Sequence, residues 1–124
     1  MPATAEFPVS IQNVTIYQGA AYYDEYELID DIGGPVDLAP YDILEAEFRD
    51  AQSPTAVLEA AAAVAVVGAA ANGIVSVTIA ETVTFDIVAT QGFWTLSIED
   101  SGTPNSRRRL IQGTYFLDPT TIAE

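Results

Sequence analysis

The chain has 124 residues, of which 18 are acidic and 4 are basic, so its formal net charge at pH 7 is −14. It has no cysteine, histidine or lysine, which excludes disulfides, Ser-His and Cys-His nucleophiles, ordinary zinc sites and P-loop chemistry. Nucleic acids and anionic membranes attract proteins through Lys and Arg, so we expect this chain to bind neither.

We expect a single domain over residues 1–124, a length that is sufficient for one buried core. The opening segment MPATAEFPVS has neither the basic region nor the apolar region of a secretory signal. No secretory signal is therefore predicted.

The first half of the chain is predicted to form short strands separated by turns. The segment from Phe7 to Gly19 is rich in β-formers, and Gly33-Gly34-Pro35 marks a later turn. The segment DILEAEFRD then alternates apolar and polar residues, as a half-buried strand does. The apolar positions of these two segments are Ile11, Val14, Ile16, Leu44, Ala46 and Phe48.

The run from Glu59 to Glu81 has no charge between its ends. Its alanines, glycines and polar residues insert poorly into a membrane, and no basic residue flanks it, so a membrane span is not predicted. Ile74 to Ile79 alternates as a strand does, and the preceding Asn72-Gly73 favours a hairpin. Ala56 to Val67 is ambiguous, because alanine favours a helix whereas the β-branched valines favour a strand and loop.

The second half is also predicted to be β-rich. Glu81 to Gly92 is either a helical turn or a crossover between sheets. The strand that follows places Trp94, Leu96 and Ile98 on one face, and the last strand places Tyr115 and Leu117 on one face. Short strands without a long amphipathic helix favour an antiparallel sandwich or barrel.

Catalytic and metal-binding patterns are weak in this sequence. Paired carboxylates could support glycoside hydrolysis, but 18 acidic residues produce many chance pairs, and we do not predict an enzyme. The acidic cluster of Asp24, Glu25, Glu27, Asp30 and Asp31 lacks the EF-hand spacing for calcium. It is interpreted as a solvated edge or loop, and no cofactor or metal is expected.

Two groups of residues are candidates for a subunit interface. Alternation places Tyr22 and Tyr26 on one face and Tyr23 on the other, which fits either core packing or a contact surface. Arg107-Arg108-Arg109 is the only concentrated positive charge. It could pair with acidic residues of a neighbouring copy or simply be a solvated hairpin entry.

Several segments of the chain, taken in order, carry a resemblance to a known family. They are Ile16-Tyr17-Gln18-Gly19, Gly34-Pro35-Val36-Asp37-Leu38, Leu44 to Arg49, Gly73 to Ile79, Gly92 to Ile98, and Arg109-Leu110-Ile111-Gln112-Gly113 to Pro119. Over nearly the full length, the order of these segments resembles the immunoglobulin-like N-terminal domain of baseplate upper proteins and related tail or neck proteins of tailed bacteriophages. The resemblance implies an all-β, antiparallel immunoglobulin-like β-sandwich of about 7–9 short strands, with room for one short helix.

The resemblance also implies a function. It leads us to expect a non-enzymatic virion protein, made in the host cytoplasm, that docks fibres or neighbouring subunits in the tail, baseplate or neck. Its partners would be other virion proteins and copies of itself, as a homo-oligomer within an assembly. Baseplate upper proteins continue into a helical or fibre region, whereas this sequence ends at Glu124, so an adaptor, a collar or a decoration protein is expected. The alternatives are capsid decoration and, from another class, a carbohydrate or host-surface binding module with stacking tyrosines.

Overall fold

Strands dominate the fold, which a computed structural model describes over residues 10–30, 32–52 and 55–118. The strands are β1 (Ser10–Ile11), β2 (Val14–Tyr17), β3 (Tyr22–Glu27), β4 (Ile43–Arg49), β5 (Leu58–Val66), β6 (Ile74–Ile79), β7 (Gln91–Glu99) and β8 (Arg108–Asp118). The helical elements are a 3-10 turn (Ala70–Asn72) and α1 (Glu81–Phe85). The β-rich character is therefore confirmed, and the segment after Glu81 contains the helical turn.

The strands form one mixed sheet in the order β1-β8-β7-β4-β5-β6-β3, with β2 also paired to β8. All pairs from β8 to β3 are antiparallel. β1 and β2 instead run parallel to β8. The purely antiparallel arrangement predicted from the sequence is thus wrong for the first two strands, because alternation specifies a strand's faces and not its direction.

β5 changes its partner along its length. It pairs with β4 up to Ala62 and with β6 from Ala63 onward. The alanine-rich run is therefore a strand, and the described residues contain no helix that is long and apolar enough to cross a membrane. The hairpin predicted at Asn72-Gly73 forms around the 3-10 turn, and Gly73 ends that turn with a φ of 70°, a conformation that favours glycine.

The core is centred on three fully buried aromatic side chains, Phe48, Trp94 and Tyr115. The rings of Phe48 and Trp94 stack with centroids 5.3 Å apart, and Tyr115 meets Phe48 edge-on at 5.7 Å. Among the predicted inward positions, those that are buried are Ile16, Ala46, Phe48, Val75, Val77, Ile79, Trp94, Leu96, Ile98, Tyr115 and Leu117. Ile11 is an exception, because its side chain is 63% exposed. Its register partner on β8 is Gln112, and paired residues share a face of the sheet, which here is the outer face.

β3 lies over the centre of the sheet although it is hydrogen-bonded only to β6 among the described strands. Tyr22 contacts Phe48 of β4 edge-on, with ring centroids 6.3 Å apart. Tyr26 contacts Trp94 of β7 at 5.6 Å. Two residues of β3 therefore pack against β4 and β7 across the core.

A buried hydroxyl joins α1 to the loop between β2 and β3. Thr84 is fully buried, and its Oγ1 accepts a hydrogen bond from Gly19 N at 3.1 Å and donates to Ala20 O at 2.8 Å. Thr84→Val keeps the shape but leaves both backbone groups without their partner. We expect it to lower the free energy of unfolding by about 1–3 kcal/mol in urea denaturation.

Thr82→Val is the matched control, because Thr82 is exposed on the same helical turn. It should change the unfolding free energy by less than about 0.5 kcal/mol. Equal stability of the two variants would show that the Thr84 hydrogen bonds do not hold α1 in place.

Candidate functional site

The three candidate tyrosines of β3 do not share a surface. Tyr22 and Tyr26 are partly buried against the core, and their hydroxyls are 3.0 Å apart. Tyr23 is 60% exposed on the opposite face, where it donates a hydrogen bond to Glu25. The alternation predicted from the sequence is confirmed, and Tyr23 is the most exposed of the three.

The pKa values of Tyr22 and Tyr26 fit a structural role for this half-buried pair. Burial is the main cause that raises the pKa of Tyr22 and of Tyr26 above the ordinary tyrosine value. The two hydroxyls are hydrogen-bonded to each other, and the raised pKa values keep both protonated well above physiological pH.

The acidic stretch forms part of an outer strand and a turn. Asp24, Glu25 and Glu27 are exposed on β3, where charge discourages pairing with another strand. Asp30 accepts hydrogen bonds from Ile32 N at 3.1 Å and Gly34 N at 3.0 Å, while Asp31 lies outside the described residues. Within the described ranges, no group of three acidic side chains could hold a metal ion.

The three consecutive arginines have different surroundings. Arg107 forms ion pairs with Glu45 and with Glu99 at 3.5 Å, so its charge is matched within the chain. Arg108 is half-buried at the start of β8, opposite Ile98. Arg109 is exposed, and its Nη1 donates to Gln112 Oε1 at 3.2 Å.

Arg109 lines a cleft that the sequence did not predict. The cleft lies on the outer face of β4, β7 and β8 and has a volume of about 330 Å³. Its lining includes Glu47, Arg49, Gln52, Phe93, Thr95 and Arg109. The sheet register explains the grouping, because it places Arg49 beside Phe93, and Thr95 between Glu47 and Gln112.

A second unpredicted feature is a cluster of exposed apolar side chains where β2, β4 and β8 end and β5 and β7 begin. We call it the apolar end, and it consists of Tyr17, Val57, Leu58, Val83, Phe85, Val88 and Phe116. Phe85 and Val88 are the most open, at 68% and 82% exposure. They lie in the segment that the sequence left ambiguous between a helical turn and a crossover between sheets.

Side-chain hydrogen bonds fix the backbone of the apolar end. Gln18 Nε2 donates to Phe85 O at 2.9 Å and to Ile87 O at 3.1 Å. Glu59 Oε1 accepts from Val88 N at 2.8 Å and from Ala89 N at 3.1 Å. The exposed Phe85 and Val88 are thus carried on a backbone that is anchored to β5 and to the end of β2.

No protein-family profile matches the chain, and no curated protein matches it. Among solved structures, the chain is similar to a family 123 glycoside hydrolase from Clostridium perfringens, whose structural analysis addressed glycolipid glycan hydrolysis. The identity is 10%, the TM-score is 0.27, and the match covers 89% of this chain and 23% of that one. The chain spans under a quarter of that enzyme's length, and a likeness this weak carries no conclusion about fold or activity.

Proposed function

We propose that this protein is a non-enzymatic structural protein of a tailed-bacteriophage particle, an assembly adaptor in the tail, baseplate or neck. The apolar end is the observation that carries the docking role. The assignment to a phage rests on the order of sequence segments that resembles baseplate upper proteins and related tail or neck proteins.

The strand pairing supports an immunoglobulin-like sandwich as the finer description of the fold. In that sandwich the second and fifth strands pair in one sheet, while the third, sixth and seventh pair in the other. When β2 is counted as the first strand, β3 and β6 are the second and fifth, and they are paired. β4, β7 and β8 are the third, sixth and seventh, and they pair in the order β4-β7-β8.

The apolar end has the properties of a docking surface. Seven large apolar side chains are exposed at this end of the sheet, and concentrations of exposed apolar surface mark interaction sites. The backbone that carries Phe85 and Val88 is anchored by Gln18 and Glu59, so little ordering entropy would be lost on binding.

The charge around the apolar end indicates which kind of partner would bind there. Asp50, Glu81 and Asp86 are exposed near the apolar end, and the whole chain carries a net charge of −14. Two such ends would repel each other, so this surface is matched to a virion protein with an apolar centre and a basic rim. Copies of this chain would then be brought together by that common partner.

A test of the docking role is incorporation of a double variant, Phe85→Ser with Val88→Ser, into particles. Both side chains are mostly exposed, so we expect the variant to fold normally and its incorporation to fall by at least about tenfold. Incorporation is measured by quantitative mass spectrometry of purified particles that are separated into head and tail fractions. Tyr23→Ser is the control, because Tyr23 is also mostly exposed, at 60%, but lies on β3.

The fractions also decide the position in the particle. A low copy number confined to the tail or neck fraction would support the adaptor. Copies comparable to the major capsid protein would indicate capsid decoration instead, and absence of the wild-type protein from all particles would refute a virion role. Unchanged incorporation of the double variant would refute docking through the apolar end.

A further inference from the structure

We propose that the cleft on the outer face of β4, β7 and β8 is a binding site for a carboxylate-bearing sugar unit. The proposal does not rest on the docking role of the apolar end, although Arg49 of the cleft is the register partner of Leu58. Its volume of about 330 Å³ is at the small end of the range for ligand pockets, so it suits a single unit rather than a long chain.

Arg109 supplies the main attraction for a carboxylate, whereas Arg49 is already paired with Glu47 and contributes hydrogen-bond donors. Arg49 Nη1 donates to Ala56 O at 2.9 Å, and its Nη2 donates to Glu47 Oε1 at 3.0 Å. These two bonds hold the Arg49 guanidinium in place, and its other N–H groups remain available as donors. Arg109 forms no ion pair with any described residue, and its only described side-chain bond goes to Gln112. A guanidinium has five donors in a planar fork that matches a carboxylate, so Arg109 is the principal anchor.

The other lining groups suit the remainder of a sugar ring. Glu47 accepts hydrogen bonds from hydroxyls, and Thr95 and Gln52 can both donate and accept. The half-buried ring of Phe93 lies beside Arg49 in the register and offers an aromatic face to the C–H side of a sugar. A polar rim with one aromatic surface is the combination that fixes the orientation of a small polar ligand.

A peptide fits this cleft less well. β4 is paired on both sides by β5 and β7, and β7 is paired on both sides by β4 and β8. Their backbone groups are therefore used within the sheet and cannot bind an added strand. A peptide with several acidic residues would also be repelled by a chain of net charge −14, whereas a sugar acid brings only one negative charge.

The experiment is a nuclear magnetic resonance titration of the ¹⁵N-labelled protein with glucuronic acid, galacturonic acid and N-acetylneuraminic acid. We expect saturable shifts at β4, β7 and the start of β8 for at least one of these acids, with a millimolar Kd, and no such shifts with neutral galactose. Arg109→Gln should weaken binding by at least about tenfold, and Phe93→Leu should weaken it by about threefold or more.

Arg107→Gln is the matched control, because Arg107 is close to Arg109 in sequence but is paired with Glu45 and Glu99. It should leave the affinity unchanged. If none of the three acids causes saturable shifts, even at concentrations well above millimolar, the sugar site is refuted. Equal binding of neutral galactose, or tighter binding of an aspartate-rich peptide through the same residues, would also overturn it.

Discussion

Replacing Trp94 with alanine is expected to lower the free energy of unfolding by about 3–5 kcal/mol, enough to unfold a domain of ordinary stability. Trp94 is fully buried, stacks on Phe48 at 5.3 Å and contacts Tyr26 of the facing layer at 5.6 Å. Its removal opens a cavity between β3 and β4 and removes the ring that both Phe48 and Tyr26 contact.

Trp94→Phe distinguishes packing from hydrogen bonding. The smaller ring keeps most of the stacking but loses the hydrogen bond from Trp94 Nε1 to Gln12 O, which is 2.8 Å long. We expect a loss of about 1–3 kcal/mol in guanidinium denaturation. Phe85→Ala is the exposed aromatic control and should cost less than about 1 kcal/mol. If Trp94→Ala were as stable as this control, Trp94 could not be the centre of the core.

Gly113→Ala is expected to cost at least about 3 kcal/mol, although it adds only one methyl group. A Cβ at Gly113 would overlap the carbonyl oxygen of Gln12 and lie 2.6 Å from its carbonyl carbon. These are backbone atoms of the connection between β1 and β2, so no side-chain rotation can relieve the overlap. Movement of that connection would also break the hydrogen bond that Gln12 N donates to Gln112 O at 2.9 Å and the one that Gln12 O accepts from Trp94 Nε1.

The measurement is thermal and denaturant unfolding of Gly113→Ala beside Gly34→Ala. A Cβ at Gly34 would meet nothing closer than the Asp30 carboxylate at 3.8 Å, so this control should stay within about 0.5 kcal/mol of the wild type. Native stability of Gly113→Ala would mean that the N-terminal strands are not packed on β8 as described.

The inward residues could be predicted from sequence because strand alternation is local. The period of two identified the buried faces of β4, β6, β7 and β8 without any knowledge of their neighbours. Strand pairing is not local. The parallel direction of β1 and β2 and the change of partner within β5 could therefore not be derived from alternation. The ambiguity of β5 came from its alanines, whose helix preference is overridden by pairing with β4 and β6.

The same distinction between local alternation and long-range pairing applies to the candidate sites. Alternation correctly separated Tyr23 from Tyr22 and Tyr26. It could not bring Arg49 and Arg109 together, because their proximity depends on the register of β4, β7 and β8 and on the irregularity of pairing near Ser97. The apolar end also depends on long-range contacts, since Gln18 positions Phe85 from 67 residues away.

The charges of the described strands are unevenly distributed. Arg49, Arg107 and Arg109 lie with Glu45, Glu47 and Glu99 on the outer face of the sheet, where three positive and three negative charges cancel. β3, with its exposed acidic residues, lies on the other side of the core. An approaching anion therefore meets less repulsion over the outer face than over β3, and this difference fades within the Debye length of about 8 Å at physiological salt.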